Sequence, residues 1–413
     1  MLKVAIIVIG DEILLGKITD TNTGAIARIA DKNGFRVVSV TTVGDRAVDI
    51  KNAVKQNLEN ADIVFTTGGL GPTKDDITKT ALMEIFGGKL VRDDSVTKNI
   101  ENIFAGRNLK LNQLTLDQAL VPDTAHIINN RFGTAPIMVF NHREKTLVAM
   151  PGVPTETEGM LPEVFTYLQR HFKIDETLRH ETFVVTGMSE SALAQALAQF
   201  EESLPPDFKL AYLPDSPFIR LRLDGPDNND IYEHVLSSLS ATLTGLSELT
   251  ILATEDMSLA EIVIGTLTAR NLTLSTAESC TGGNIAHNIT SVSGSSAVFN
   301  GAVVSYANTA KINLLDVGKE TIEQYGAVSR QVVFQMVDGA CRALSTDCAI
   351  ATSGIAGPTG GTPDKPVGTV WIAVKTPSGT CAQCYRFPGD RAKVIARATA
   401  TGMIMLLQEL RKS

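Results

Sequence analysis

A chain of 413 residues, 44% hydrophobic and 20% charged, has an ordinary globular composition; it is too long for one core and suits two or three domains. A formal net charge of −8 and a pI near 5.4 give no general attraction to phosphate backbones, and no basic run with interleaved aromatics occurs, so direct nucleic-acid binding is not expected. No apolar run reaches membrane-spanning length, and the short one at 4–9 is followed at once by Asp11 and Glu12, so no membrane partner is expected and the location is expected to be cytoplasmic.

Residues 4–9 form a continuous apolar run ending in Gly10-Asp11-Glu12, which reads as a buried parallel strand with acids at its tip. A helical stretch at 23–33 and a second strand at 35–43 follow. A third strand, 62–67, ends in Gly68-Gly69-Leu70-Gly71-Pro72-Thr73-Lys74-Asp75-Asp76, after which a helix runs to Phe86. A fourth, 146–150, ends in Pro151-Gly152-Val153-Pro154-Thr155-Glu156. This alternation predicts an α/β fold with a doubly wound sheet whose glycine-rich, acidic loops cluster at the carboxyl ends of the strands. Gly68, Gly69 and Gly71 could wrap a pyrophosphate. Asp11, Glu12, Asp75, Asp76 and Glu156 offer oxygen donors of the kind magnesium or manganese takes. Paired acids behind a glycine loop equally well complement a helix dipole, and Asp75-Asp76 fits that description.

Residues 171–250 read as a small α/β connecting domain: a strand at 182–185, a helix at 189–200, and paired strands at 209–213 and 218–223 around Pro214-Asp215-Ser216-Pro217. They carry no chemical constellation. The polar, glycine-containing segment 245–257 is the expected boundary before the last domain, 258–413.

In that domain a strand-like run at 272–276 leads through Ala277-Glu278-Ser279-Cys280-Thr281-Gly282-Gly283 into a helical pattern at 284–291. A serine where a strand turns sharply into a helix points its hydroxyl outward, as in a nucleophile elbow. The N–H groups of Cys280, Thr281 and Gly282 would be open first-turn donors for an oxyanion or phosphate. A plain helix cap is the bland alternative. An activated serine needs a base, and the one histidine of this region, His287, is eight residues on along the same helix, about 12 Å away at the helical rise. The better candidate is Lys311, on a short helix after a strand ending near Tyr306, where desolvation can strip a lysine of its proton. A third segment, 349–361, is an apolar strand opening into a glycine-rich loop, with Thr352, Ser353 and Gly354 at the strand's carboxyl end. It is not a Walker A loop, since no Gly-Lys-Ser/Thr follows. All five cysteines, Cys280, Cys341, Cys348, Cys381 and Cys384, lie here and are expected to be free thiols. Cys280 could rival Ser279, because a helix N-terminus lowers a thiol's pKa.

Taken together, these segments make residues 258–413 resemble the C-terminal domain of the CinA family (competence/damage-inducible proteins). The resemblance rests on the heptapeptide 277–283, on Val304-Ser305-Tyr306 with Lys311, on Gly326-Ala327-Val328-Ser329, on Gly354-Ile355-Ala356-Gly357-Pro358, and on Thr362-Pro363-Asp364-Lys365-Pro366-Val367-Gly368. Free-standing relatives of this domain are nicotinamide mononucleotide deamidases. The resemblance therefore implies hydrolysis of that carboxamide to acid and ammonia, with no cofactor. It makes Ser279 the nucleophile and Lys311, with Tyr306 nearby, the proton-transfer partner. Backbone N–H groups after Ser279 would form the oxyanion hole, and Thr352, Ser353 and Arg391 would contact the nucleotide.

Residues 1–170 resemble the molybdopterin-binding fold of the CinA N-terminal domain, through Gly10-Asp11-Glu12, Asp20-Thr21-Asn22, the loop 68–76 and Met150-Pro151-Gly152-Val153-Pro154. That implies an ADP-ribose pyrophosphatase dependent on a divalent metal (magnesium, manganese or cobalt), with Asn22 and the glycine loop on the substrate, small-molecule nucleotides as partners, and a homodimer. Three functions compete: a bifunctional hydrolase of pyridine-nucleotide breakdown products, a molybdopterin- or nucleotide-binding module with a regulatory C-terminal domain, and a non-catalytic partner of recombination proteins.

Overall fold

The computed structural model describes residues 1–73, 75–106, 110–173 and 178–412; Lys74 of the glycine loop and residues 174–177 of the expected connecting domain lie outside them. The chain forms two compact units, 1–180 with 225–229, and 181–224 with 230–413.

The first unit is built on a six-stranded sheet. Its strands are β1 (Leu2–Ile9), β2 (Phe35–Val43), β3 (Ile63–Thr67), β6 (His126–Ile128), β7 (Ile137–His142) and β8 (Lys145–Met150), while β4 (Leu90–Arg92) and β5 (Leu120–Pro122) pair separately. The order is β2-β1-β3-β8-β7-β6, with β2, β1, β3 and β8 parallel and the β6–β8 meander antiparallel. The apolar run of β1 is explained by burial on both faces. Its period of two sends Val4, Ile6 and Val8 into one core, with the helices Asn22–Lys32 and Pro154–Phe172. Ala5, Ile7 and Ile9 enter a second core, with the helices Ala47–Asn60 and Thr78–Phe86. At about 1.5–3 kcal/mol for each fully buried aliphatic side chain, these two layers position the strand ends. The edge hairpin of β6 and β7 is missing from the sequence reading, although Ile137-Met138-Val139-Phe140 is a continuous buried apolar run.

Two further sheets lie mainly in the second unit. The smaller, ordered β10-β11-β9-β12, comprises β9 (Leu178–Thr186), β10 (Lys209–Asp215), β11 (Phe218–Pro226) and β12 (Thr250–Ala253). β12 lies inside the segment expected to be a boundary; four residues with Leu252 buried against β9 make a strand too short to stand out from the polar flanks. The larger sheet is ordered β14-β13-β15-β16-β17, from β13 (Leu274–Glu278), β14 (Phe299–Val304), β15 (Cys348–Gly354), β16 (Thr369–Thr376) and β17 (Gly379–Arg386). β14, β13 and β15 are parallel, and β16 and β17 continue antiparallel. β13 ends two residues later than the sequence pattern suggests, which brings Glu278 into the strand. The helix Arg391–Arg411 covers one face through Val394, Ala398, Leu406 and Leu410, and Arg330–Leu344 covers the other through Val332, Val333, Met336 and Val337. Among the described residues no helix is long and apolar enough to cross a membrane.

Candidate functional site

Parallel pairing of β13 with β14 and β15 aligns the three carboxyl ends, so Ser279, Ser305-Tyr306 and Thr352–Gly354 come together although they are far apart along the chain. The serine's backbone is held there: Ser279 N–H donates to Thr352 O at 3.0 Å, and Ser305 N–H to Glu278 O at 2.8 Å. From the helix Asn308–Leu315, Lys311 turns inward. Its Nζ donates to Ser305 O at 2.7 Å and Ser279 Oγ at 3.0 Å, with Tyr306 O at 3.4 Å. Lys311 is 1% exposed and Ser279 9%. Burial pushes the Lys311 pKa below its ordinary value, only partly opposed by Cys280. In its neutral form the amine has two N–H bonds for the carbonyls of Ser305 and Tyr306 and one lone pair for the serine hydroxyl, the arrangement a general base requires. The Lys311 helix is itself fixed by Gly339, where an added Cβ would stand 2.1 Å from Leu315 O.

Four expectations are corrected at this site. Gly282 N–H is not an open donor; it closes the turn onto Ser279 O at 3.1 Å, leaving the N–H groups of Cys280 and Thr281 as the candidates for an oxyanion. Thr352 and Ser353 do not face outward. Thr352 is fully buried with its hydroxyl on Thr281 Oγ1 at 2.7 Å, and Ser353 Oγ donates to Ala327 O at 2.7 Å. Residues at a parallel strand end alternate between two packed faces, so neither side chain is left for a ligand. The Tyr306 hydroxyl meets Arg391, not Ser279: Arg391 donates to it at 3.0 Å and to Gly357 O at 3.0 Å, and both side chains are exposed. Finally, Cys280 lies in an apolar core cluster, and burial pushes its thiol up to about 12, against the lowering expected from a helix start.

Beneath the same turn lies a residue to which the sequence reading gave no role. Glu278, fully buried at the end of β13, accepts hydrogen bonds from Thr276 Oγ1 at 3.1 Å, Gly283 N at 3.0 Å, Ile285 N at 3.1 Å and Ala286 N at 2.9 Å. Its carboxylate occupies the first-turn donors of the helix Asn284–Thr290. The available signal was an acid on the last strand residue before a glycine-capped helix.

In the first unit, a cleft of about 590 Å³ opens at the carboxyl ends of β1, β3 and β8 and is lined by Asn22, the loop Gly68 to Gly71, Asp75, Asp76, Gly152 and Glu156. Gly68 at φ 109° has no room for a Cβ, which would meet Ile9 O at 2.2 Å. Asn22 Nδ2 donates to Gly152 O at 2.8 Å and Thr67 Oγ1 at 3.2 Å, which turns its Oδ1, buried without a partner, to the other side. Gln118, absent from the sequence reading, lines the same cleft with Oε1 in the same condition. Four of the five expected metal acids, Glu12, Asp75, Asp76 and Glu156, line this cleft. Glu156 accepts from Asn130 Nδ2 at 2.7 Å, Asp76 accepts from Thr73 N–H at 2.8 Å and Thr73 Oγ1 at 2.6 Å, and Asp11 lies outside the cleft lining. Among the described residues no group of three or more His, Cys, Asp or Glu stands close enough to hold a metal ion by itself. The acids nonetheless feel one another. Asp45, at the tip of β2, has its carboxyl raised above the usual range chiefly by burial, against an opposing hydrogen bond from Asp11 N–H, with the charges of Asp11, Glu12 and Asp76 adding to the rise.

Residues 256–410 match the CinA C-terminal domain family and residues 5–171 the family described as a probable molybdopterin binding domain. A CinA-like protein of Flavobacterium psychrophilum is 39% identical over 100% of this chain and 99% of its own length. A CinA-like protein of Cytophaga hutchinsonii is 38% identical over 98% of this chain and 96% of its own. Among solved structures, the competence/damage inducible protein CihA from Agrobacterium tumefaciens is 42% identical, covering 37% of this chain and 93% of that one, with a TM-score of 0.36. The chain thus carries a nucleotide- or cofactor-related module at its N-terminal end, and with a CinA C-terminal domain following it over matches of full length, it belongs to the CinA family.

Proposed function

We propose that the C-terminal domain is a serine amidohydrolase that converts nicotinamide mononucleotide to nicotinate mononucleotide and ammonia. The observation that carries this reading is the Ser279 Oγ to Lys311 Nζ hydrogen bond of 3.0 Å between two buried side chains. Neutral Lys311 takes the serine proton as Oγ attacks the carboxamide carbon. The C=O bond opens to an oxyanion, for which the N–H groups of Cys280 and Thr281 are the candidate donors. Protonated Lys311 then delivers its proton to the amide nitrogen, ammonia leaves, and an acyl-serine ester remains. Water, deprotonated by the same amine, attacks the ester; the acid is released and the proton returns to Ser279. Arg391, exposed beside Tyr306, is the group for the nucleotide phosphate.

The test is ammonia release from nicotinamide mononucleotide, with and without EDTA, alongside Ser279→Ala. Chelator-resistant release that the variant loses supports the reading. No release at any pH would refute it and return Ser279 to a capping role, favouring a binding module with a regulatory C-terminal domain.

The N-terminal cleft is proposed as a nucleotide pocket with ADP-ribose pyrophosphatase activity, supported by its size, its glycine loop and the acids on its rim. Hydrolysis of ADP-ribose with magnesium, manganese or cobalt added singly tests it, and bound pterin in the purified protein would count against it. A homodimer belongs to the same proposal and is checked by sedimentation.

A further inference from the structure

The turn that carries Ser279 is tied together from beneath by one side chain. Glu278 Oε2 takes the N–H groups of Gly283 and Ile285, and Oε1 takes Ala286 N–H and the Thr276 hydroxyl. One carboxylate therefore joins the end of the strand to the start of the helix across residues 279–283. Gly282 and Gly283 cross that gap at φ 63° and 96°, and the cap position, Gly283, has no side chain of its own to accept the helix donors. A typical cap is a serine or asparagine at the helix start. Here the acceptor is the residue immediately before the nucleophile, so any slack in the cap is transmitted directly to Ser279.

We propose that Glu278 is a positioning residue: it fixes the turn so that Ser279 Oγ stays within hydrogen-bond reach of Lys311 Nζ. This rests on the reading of Ser279 and Lys311 as the reacting pair. Glu278 does not touch the Lys311 amine, whose partners are Ser279, Ser305 and Tyr306, so it acts through geometry. A misplacement of about 1 Å at a reacting atom costs about 100-fold in rate.

The test is Glu278→Gln. The amide keeps the shape but has one oxygen; with that oxygen on Gly283 and Ile285, its NH2 faces the Ala286 N–H and the turn must shift. Two rates are read: kcat for nicotinamide mononucleotide, and modification of Ser279 by a fluorophosphonate, which does not depend on the substrate assigned above. Both should fall about 10- to 100-fold while KM stays within about threefold and Trp371 fluorescence shows the same folded protein. Should Glu278→Gln not fold, Thr276→Val, which removes one of the four hydrogen bonds from within a strand, should slow both rates about fivefold. A lowered melting temperature with both rates unchanged per folded molecule would overturn the proposal, leaving Glu278 a structural cap. If the wild type does not act on nicotinamide mononucleotide, the substrate reading fails alone and the fluorophosphonate rates decide the role of Glu278. If wild-type Ser279 is not modified either, the serine is not activated and both ideas fall.

Discussion

Replacing Lys311 by methionine should change how stability depends on pH as well as remove activity. The amine is 1% exposed, and burial depresses its folded pKa; in the unfolded chain it returns to about 10.4. Below the folded pKa both states carry the proton, and above about 10.4 neither does. Between the two, the unfolded chain holds one more proton, so stability rises with pH across that window and is lost as pH falls back through it. One proton sets the ceiling at about 1.4 kcal/mol per pH unit. Methionine cannot titrate, so the difference between wild type and variant isolates this ionisation, and Cys280, pushed up to about 12, titrates above the window. Urea unfolding can be followed by Trp371, the single tryptophan, which pairs with Ser353 across β15 and β16. The same ionisation governs the base, so kcat/KM of the wild type must rise through the same pKa, and the variant should lose about 100- to 10,000-fold. A wild-type-minus-variant stability that is flat with pH, or activity that falls across the window, would refute Lys311 as the base.

Other outcomes follow from the same geometry. Cys280→Ala should retain most activity at a cost of about 1 kcal/mol in stability, and iodoacetamide near neutral pH should leave Cys280 unmodified while alkylating the exposed Cys384; inactivation through Cys280 would contradict this. Gly339→Ala should cost about 1–3 kcal/mol and slow catalysis, because the new methyl meets Leu315 O and displaces the helix bearing Lys311; thermal unfolding and turnover measured together check it. Arg391→Gln should raise KM about tenfold with little change in kcat, and equal losses in both would mean that the arginine acts in the transition state.

Much of this protein is written locally. The two-faced burial of β1, the period of two in β2 and the strand–turn–helix around Ser279 depend on neighbours a few residues away, where side-chain alternation and glycine conformations already limit the backbone. The sequence alone therefore marked Ser279 as a candidate nucleophile and Lys311 as its candidate partner. It did not determine which way the flanking side chains face. Only the pairing of β13 with β14 and β15 carries Lys311 across 32 residues to the serine hydroxyl. The same pairing turns Thr352 and Ser353 inward, and the later end of β13 places Glu278 under the helix start. Tertiary structure also brought Asp45 and Gln118 to the N-terminal cleft, beside Glu12, Asp75, Asp76 and Glu156. These are choices among strand neighbours and packed faces, decided by burial summed over the whole sheet, and no short stretch of chain contains that sum.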